Sequence, residues 1–435
     1  MIFIFVLAAI AMLYANIKDL PSGDRRKVWL FVFVYLILMG YYTNFINQQP
    51  TSFGYGIPQA DMLAHYRGAE AISRGYSWSE LSTVATRFEE VGLNTVGYFI
   101  YTSFLYVCLF VLPVFDVGTN IYLVYVFQIL LSVDTCVRYN RFFRRCIPEV
   151  RSNTGLYILI CCVPFVVQAC QLMRDIYYMW MIALLFEAIQ KGQYIKNHVS
   201  VNQQIRIPSL NGLELILRWL RRNWLLLLAM TMCVLLRFYS VIVFLPPALY
   251  YSNRKKLGVM TSFCISAALL LGVSVINILR EQLGIPWTFA SPDLGESIQF
   301  FLFPNIINQS KYLFNWQFYF GDTIDISGCN VPGVYYAMSV WNIWAIPLMF
   351  IGFAAKFRKY KWEHLMWGTI LLNTVLTYSM VYPSIDTRHK FFMAIPMCFL
   401  ALRGITWLKQ KGRILFYSYN LAVYFLVSIL LIVAW

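Results

Sequence analysis

Long apolar runs, separated by short polar and basic segments, dominate the pattern of this chain. Twelve of them are suited by composition to crossing a bilayer: Met1 to Asn16, Val28 to Ile46, Asn120 to Val137, Asn153 to Cys170, Ile176 to Gln190, Asn223 to Leu236, Phe238 to Ser252, Leu257 to Leu279, Tyr336 to Ala355, Leu365 to Tyr382, Phe391 to Leu408 and Ile414 to Ala434. A helix rises about 1.5 Å per residue and a hydrocarbon core is about 30 Å thick, so each run predicts one transmembrane helix. A further apolar stretch, Leu93 to Phe115, has the same composition.

The polar interruptions set the threading. Six basic clusters, Lys18 to Lys27, Arg138 to Arg151, Lys191 to Arg222, Arg254 to Lys256, Lys356 to Lys361 and Arg403 to Arg413, hold 26 of the 35 Lys and Arg residues. Cytoplasmic loops collect Lys and Arg, and twelve crossings put all six clusters on one side. The other side then carries nine basic and thirteen acidic residues. If Leu93 to Phe115 also crossed, Arg138, Arg141, Arg144 and Arg145 would be stranded outside. It is therefore expected to be re-entrant or to lie along the outer leaflet, packed on the bundle. The expected fold is an all-α polytopic membrane protein of about 12 transmembrane helices plus this extra helix. It forms one integral membrane domain over 1–435, with outer loops 47–92 and 280–335 capping a site and an inner basic loop at 191–222.

Composition agrees and removes several alternatives. The chain has 435 residues, of which 60% are hydrophobic and only 13% charged, and its mean hydropathy is +0.60. A soluble domain has about half apolar and a quarter charged residues, so a soluble enzyme is excluded. The formal charge of +15 is explained by the inner loops and calls for no nucleic acid partner. Neither GxxxxGK[ST] nor GxGxxG occurs, so nothing points to a nucleotide-driven pump or a nucleotide-sugar enzyme. No CxxC or Cys/His metal spacing occurs among the ten cysteines, and no metal or other cofactor is expected. The apolar start has its basic residues after it, at Lys18, Arg25, Arg26 and Lys27, which predicts a retained first helix with its N-terminus outside.

Candidate chemistry lies on the outer side. In YGIPQADMLAHYRG, Pro58 suits the first turn of a helix, where Asp61 gains from the helix dipole. His65 follows four residues later on the same face, and an imidazole oriented by a carboxylate is the usual general base near neutral pH. A surface helix with an ordinary Asp-His contact has the same spacing. Arg174 and Asp175 fall at the apex between two crossings, and Arg237 at the turn of a hairpin whose arms are short for the core. Arginine below the membrane surface costs roughly 2.5 to 3.5 kcal/mol and is usually matched to a partner or an anion. For Arg174 the simple partner is Asp175, whereas Arg237 has no acidic neighbour in sequence and can otherwise snorkel to headgroups. Arg388 and Lys390, in YPSIDTRHKFF, add a third cationic group on that side. Three basic sites at one leaflet suggest a phosphate or pyrophosphate site. The outer aromatics, Phe53 and Tyr55 among them, suit sugar stacking as well as an interfacial belt.

These segments resemble the Wzy-type bacterial polysaccharide polymerases, in particular their EpsG-like group. The resemblance rests on DMLAHY, on FEEVGLNTVGYF before an apolar helix, on the QLMRD segment and on the late Arg388. It implies a GT-C-like architecture and an enzyme of the bacterial cytoplasmic membrane with its active site facing outside. Its donor and acceptor would be undecaprenyl-pyrophosphate-linked oligosaccharides, with a chain-length regulator as a further partner. It covers Asp61, Tyr66, Gln171, Arg174 and Arg388; taken with the residues read above, the catalytic candidates are Asp61 and His65, and the substrate-binding candidates are Arg174, Arg237, Arg388, Lys390, Tyr66, Gln171 and Tyr239. Where EpsG-like chains often carry a His before a Ser and an apolar run, this one has Arg237 before Tyr239 and Ser240, which leaves the base open. A transporter or flippase for lipid-linked glycans and a transferase using a polyprenyl-monophosphate sugar are the alternatives. Against the transporter, no internal repeat and no paired Gly/Pro-interrupted helices are visible in the sequence.

Overall fold

The computed structural model describes residues 1–48, 52–57, 61–83, 93–147, 149–150, 153–199, 212–237, 334–355, 365–374 and 391–434, with a few isolated positions between 243 and 282. The fold is all-α, with no β-strand among the described residues. Its helices are α1 (Ile2–Ile17), α2 (Ser22–Asn47), α3 (Asp61–Ser73), α4 (Leu93–Leu109), α5 (Val117–Cys146), α6 (Thr154–Ile160), α7 (Val163–Ala169), α8 (Asp175–Val199), α9 (Gly212–Leu236), α10 (Val334–Ala354), α11 (Phe391–Lys411) and α12 (Arg413–Ala434). Segment 365–374 is also helical, and a 3₁₀ turn spans Trp78–Thr83. By length and composition α2 and α5 can cross a membrane.

Polar contacts set the helix directions. Met1 donates its amino group to the Leu112 carbonyl beside the start of α5, while Asn16 Nδ2 reaches Asp134 Oδ1 (2.6 Å) and Arg141 reaches the Asn16 carbonyl (2.8 Å). Thus α1 and α5 run parallel. Helix α8 joins them in the same direction, with Trp180 on Asp134, Arg138 on Glu187 and Arg145 on Gln190. Helix α2 runs the other way, from Asp24, which accepts from Asn153 and Tyr157, to Asn47, whose side chain accepts from the Gly56 amide. Residues of three basic clusters, Lys27, Arg138 to Arg145 and the α8 stretch approaching Lys191, therefore share one end of the bundle. Among these helices α1, α5 and α8 point one way and α2 the other.

Two expectations need correction. The run from Asn153 to Cys170 is not one helix but two short ones, broken at Cys161 and Cys162. Pro164 lacks an N–H for a continuous helix, and Tyr35 of α2 donates to the Ile160 carbonyl at the break (2.6 Å). The inner segment 191–222 is largely helical, because α8 continues to Val199 and α9 begins at Gly212. Arg403, of the last basic cluster, is buried within α11.

Packing is tight where glycine allows it. A Cβ at Gly352 of α10 would overlap the Leu400 carbonyl of α11, and one at Gly404 would overlap that of Leu348, so the two backbones cross in direct contact. Near the basic end Trp367 is wholly buried among Tyr139, Phe142, Phe143, Phe186 and Phe399. In contrast, α1, α2 and α12 expose apolar faces carrying Ile4, Leu7, Leu30, Phe33, Ile37, Ile414, Leu421 and Phe425.

Candidate functional site

Gly56 begins the construction of the site. Its φ of +71° is in the left-handed region, and a Cβ there would overlap Thr43, so only glycine lets the chain turn here. The turn is pinned by Asn47 at the Gly56 amide (2.6 Å) and by Tyr125 at its carbonyl (3.4 Å). Five residues later α3 starts at Asp61. The first six residues of α3, Asp61 to Tyr66, are all buried. Asp61 and His65 therefore do not lie on an exposed helix face.

Helix α4 supplies the partners. Tyr98 donates its hydroxyl to Asp61 Oδ2 at 3.1 Å, and Thr102 Oγ1 lies 3.1 Å from His65 Nδ1. Both contacts join residues 37 positions apart, so α3 and α4 run side by side in the same direction over this turn. The imidazole stacks on Tyr98 with centroids 4.8 Å apart and meets the edge of Tyr101 at the same distance. Tyr66 faces the other way, against Phe53 at 4.9 Å.

The arginines arrive from the ends of α8 and α9. Arg174, directly before α8, lays its guanidinium over the Tyr98 ring, 4.1 Å from the centroid. Gly97 makes this approach possible, since a Cβ there would overlap Arg174 Nη1 and the Leu236 carbonyl. Arg237, directly after α9, binds Asp175 Oδ1 through Nε (3.0 Å) and through Nη2. This corrects the sequence expectation twice. Asp175 pairs with Arg237, 62 residues away, and Arg237 does have an acidic partner.

All of these groups are buried: Asp61 is 3% exposed, His65 0%, Arg174 1%, Asp175 0% and Arg237 6%. Gln171, also buried, lies in the same turn as Arg174. Gln128 of α5 ties that turn down by donating to the Met173 carbonyl (2.9 Å) and to Tyr101 (3.3 Å). Gln128 is the twelfth residue of α5, so the apex is recessed about 16 Å from the tip of that helix. Tyr239, Arg388 and Lys390 lie outside the described residues.

The structure thus brings together Asp61, His65, Arg174, Arg237 and Gln171, which come from four separate helix ends. Reading the sequence missed Tyr98, Thr102, Tyr101 and Gln128. A signal existed for Gln128, a lone amide in the apolar run IYLVYVFQILLSV, because polar groups at membrane depth are rare and usually engaged. Chemically the cluster offers a carboxylate, an imidazole and two guanidiniums, one of them neutralised by a second carboxylate. It suits proton acceptance beside a bound anion. No group of three or more His, Cys, Asp or Glu side chains able to hold a metal ion occurs among the described residues. No protein-family model, curated protein or solved structure matches the chain.

Proposed function

We propose that this chain is a membrane-embedded glycosyltransferase that polymerises undecaprenyl-pyrophosphate-linked oligosaccharide repeat units at the outer face of a bacterial cytoplasmic membrane. Membrane embedding is supported by the apolar faces of α1, α2 and α12, by the span-length helices α2 and α5, and by the gathering of basic clusters at one end. The re-entrant reading of Leu93 to Phe115 is supported by the path of α4. It runs from Gly97 beside the recessed Arg174 to Leu109, whose carbonyl accepts from Asn120 near the α5 tip.

The observation that carries the reading is the convergence of Asp61 and His65 with Arg174, Asp175 and Arg237 in one recessed cluster. In the proposed reaction the acceptor hydroxyl loses its proton to Asp61 or His65 and attacks the donor's anomeric carbon. The bond from that carbon to the pyrophosphate oxygen breaks as the new glycosidic bond forms. Arg174 and Arg237 stabilise the charge on the leaving pyrophosphate, a role in which guanidinium forks excel.

Purified full-length protein incubated with synthetic lipid-linked repeat units tests this directly, and a product ladder is expected. A single transfer product would favour the monophosphate-sugar transferase. No product would favour the transporter, which one observation supports: the break between α6 and α7 is of the kind that carriers use for binding.

A further inference from the structure

Tyr98 touches three elements of the candidate site at once. Its hydroxyl holds Asp61, its ring carries the Arg174 guanidinium, and the same ring stacks on His65. One side chain thus joins the acid and imidazole of α3 to the cation before α8. Tyr98 is itself buried, at 9% exposure, on a helix that Gly97 allows to press against the end of α9.

We infer that Tyr98 is a positioning residue that couples the Asp61 carboxylate to the Arg174 guanidinium. This rests on the polymerase reading for its functional part, but the coupling itself does not. The physical argument has two halves. A phenol donating to a carboxylate fixes which oxygen remains for the acceptor hydroxyl and favours the charged form of the acid. A cation over the same ring draws density toward the ring face and makes the phenolic O–H a stronger donor. An anion arriving at Arg174 competes for that cation and weakens the donor. The carboxylate becomes a better base when the leaving group is in place.

The test uses the full chain in lipid nanodiscs and three changes: Tyr98→Phe, Tyr98→Leu and Gly97→Ala. The first removes the hydroxyl and keeps the ring, the second removes both, and the third pushes α4 off Arg174. With lipid-linked repeat units, Tyr98→Phe should lower kcat about tenfold with KM unchanged and move the acid limb of the rate profile to higher pH. A merely structural tyrosine would leave that limb in place, and an unchanged kcat and limb would overturn the positioning role. Gly97→Ala should raise KM for the donor, because it displaces the cation.

A second measurement needs no substrate. Thermal unfolding midpoints of Asp61→Asn, Arg174→Gln and the double variant form a cycle, measured once with Tyr98 in place and once in the Tyr98→Leu background. The cycle should be non-additive by about 2 °C with the tyrosine and additive without it. Additive shifts with the tyrosine present would overturn the coupling. If the wild-type protein made no polymer, the polymerase reading would fall while this cycle still decided the role of Tyr98.

Discussion

Two buried charge clusters share α8, and they are built differently. At the basic end both oxygens of Asp134 are engaged: Asn16 donates to one, and Arg138 Nε (2.7 Å) and Trp180 Nε1 (2.8 Å) to the other. Arg138 also reaches Glu187, and Arg141 lies 3.8 Å from it, so three helices are tied in one knot. At the recessed end Asp175 gives Arg237 a single oxygen, and Oδ2 is buried without a hydrogen-bond partner among the described residues. A carboxylate with both oxygens engaged is a clamp. One with capacity left over, beside a second arginine, has the features of a site that a ligand completes.

The largest expected effects break that comparison. Arg174→Gln should abolish polymer while leaving the protein folded in the membrane, because a lost catalytic cation costs about 3 to 4 kcal/mol of transition-state stabilisation. Arg237→Gln should also abolish polymer, but it strands Asp175 and lowers stability as well. The double variant Arg237→Gln with Asp175→Asn should regain stability without activity, and Arg237→Lys should rescue little. Polymer of wild-type length from the Arg174 variant would show that the recessed cluster is a second clamp.

Next in size is the knot itself. Asp134→Ala should cost about 3 to 5 kcal/mol, since it leaves Arg138 short of a buried partner, and thermal unfolding would register it. The fraction that stays folded should polymerise at the wild-type rate. A selective loss of turnover at unchanged stability would erase the distinction between the two ends.

Within the recessed cluster the comparison sharpens to Asp61 against His65. If Asp61 is the base, Asp61→Asn is inactive and His65→Ala retains activity. If His65 is the base, both are weakened, His65→Ala more so, and turnover falls as the pH drops into the imidazole range. The smallest effect lies at the tip of α5. Asp116 caps that helix, accepting from the Thr119 hydroxyl (2.5 Å) and the Thr119 amide (3.1 Å). Those bonds hold its carboxyl below the usual carboxylate range. Because the folded pKa is lowered, the cap's contribution is present above the ordinary carboxylate pKa and lost as pH falls through its own lower value. The protection factor of the Thr119 amide, its exchange rate normalised to the intrinsic rate at each pH, should therefore fall on acidification in the wild type and be low at all pH values in Asp116→Ala.

Much of the helical plan can be read without coordinates. Hydrophobic length marks α1, α2, α5 and α10 to α12 to within a few residues at most boundaries, because that signal is carried by each residue independently of its neighbours in space. The candidate site is only half legible in this way. Asp61, His65, Arg174 and Arg237 stand out because polar groups among apolar ones are conspicuous, and the resemblance marks some of the same positions. Their partners do not stand out. Tyr98 is one of 30 tyrosines, and nothing local marks it as the ring between an acid and a cation. The pairing of Asp175 with Arg237 is likewise invisible locally, whereas Pro164 marks the break at Cys161 in the sequence itself. Hydropathy reports where a helix is stable, whereas a hydrogen bond or ion pair depends on which helix ends meet, and only the tertiary packing decides that.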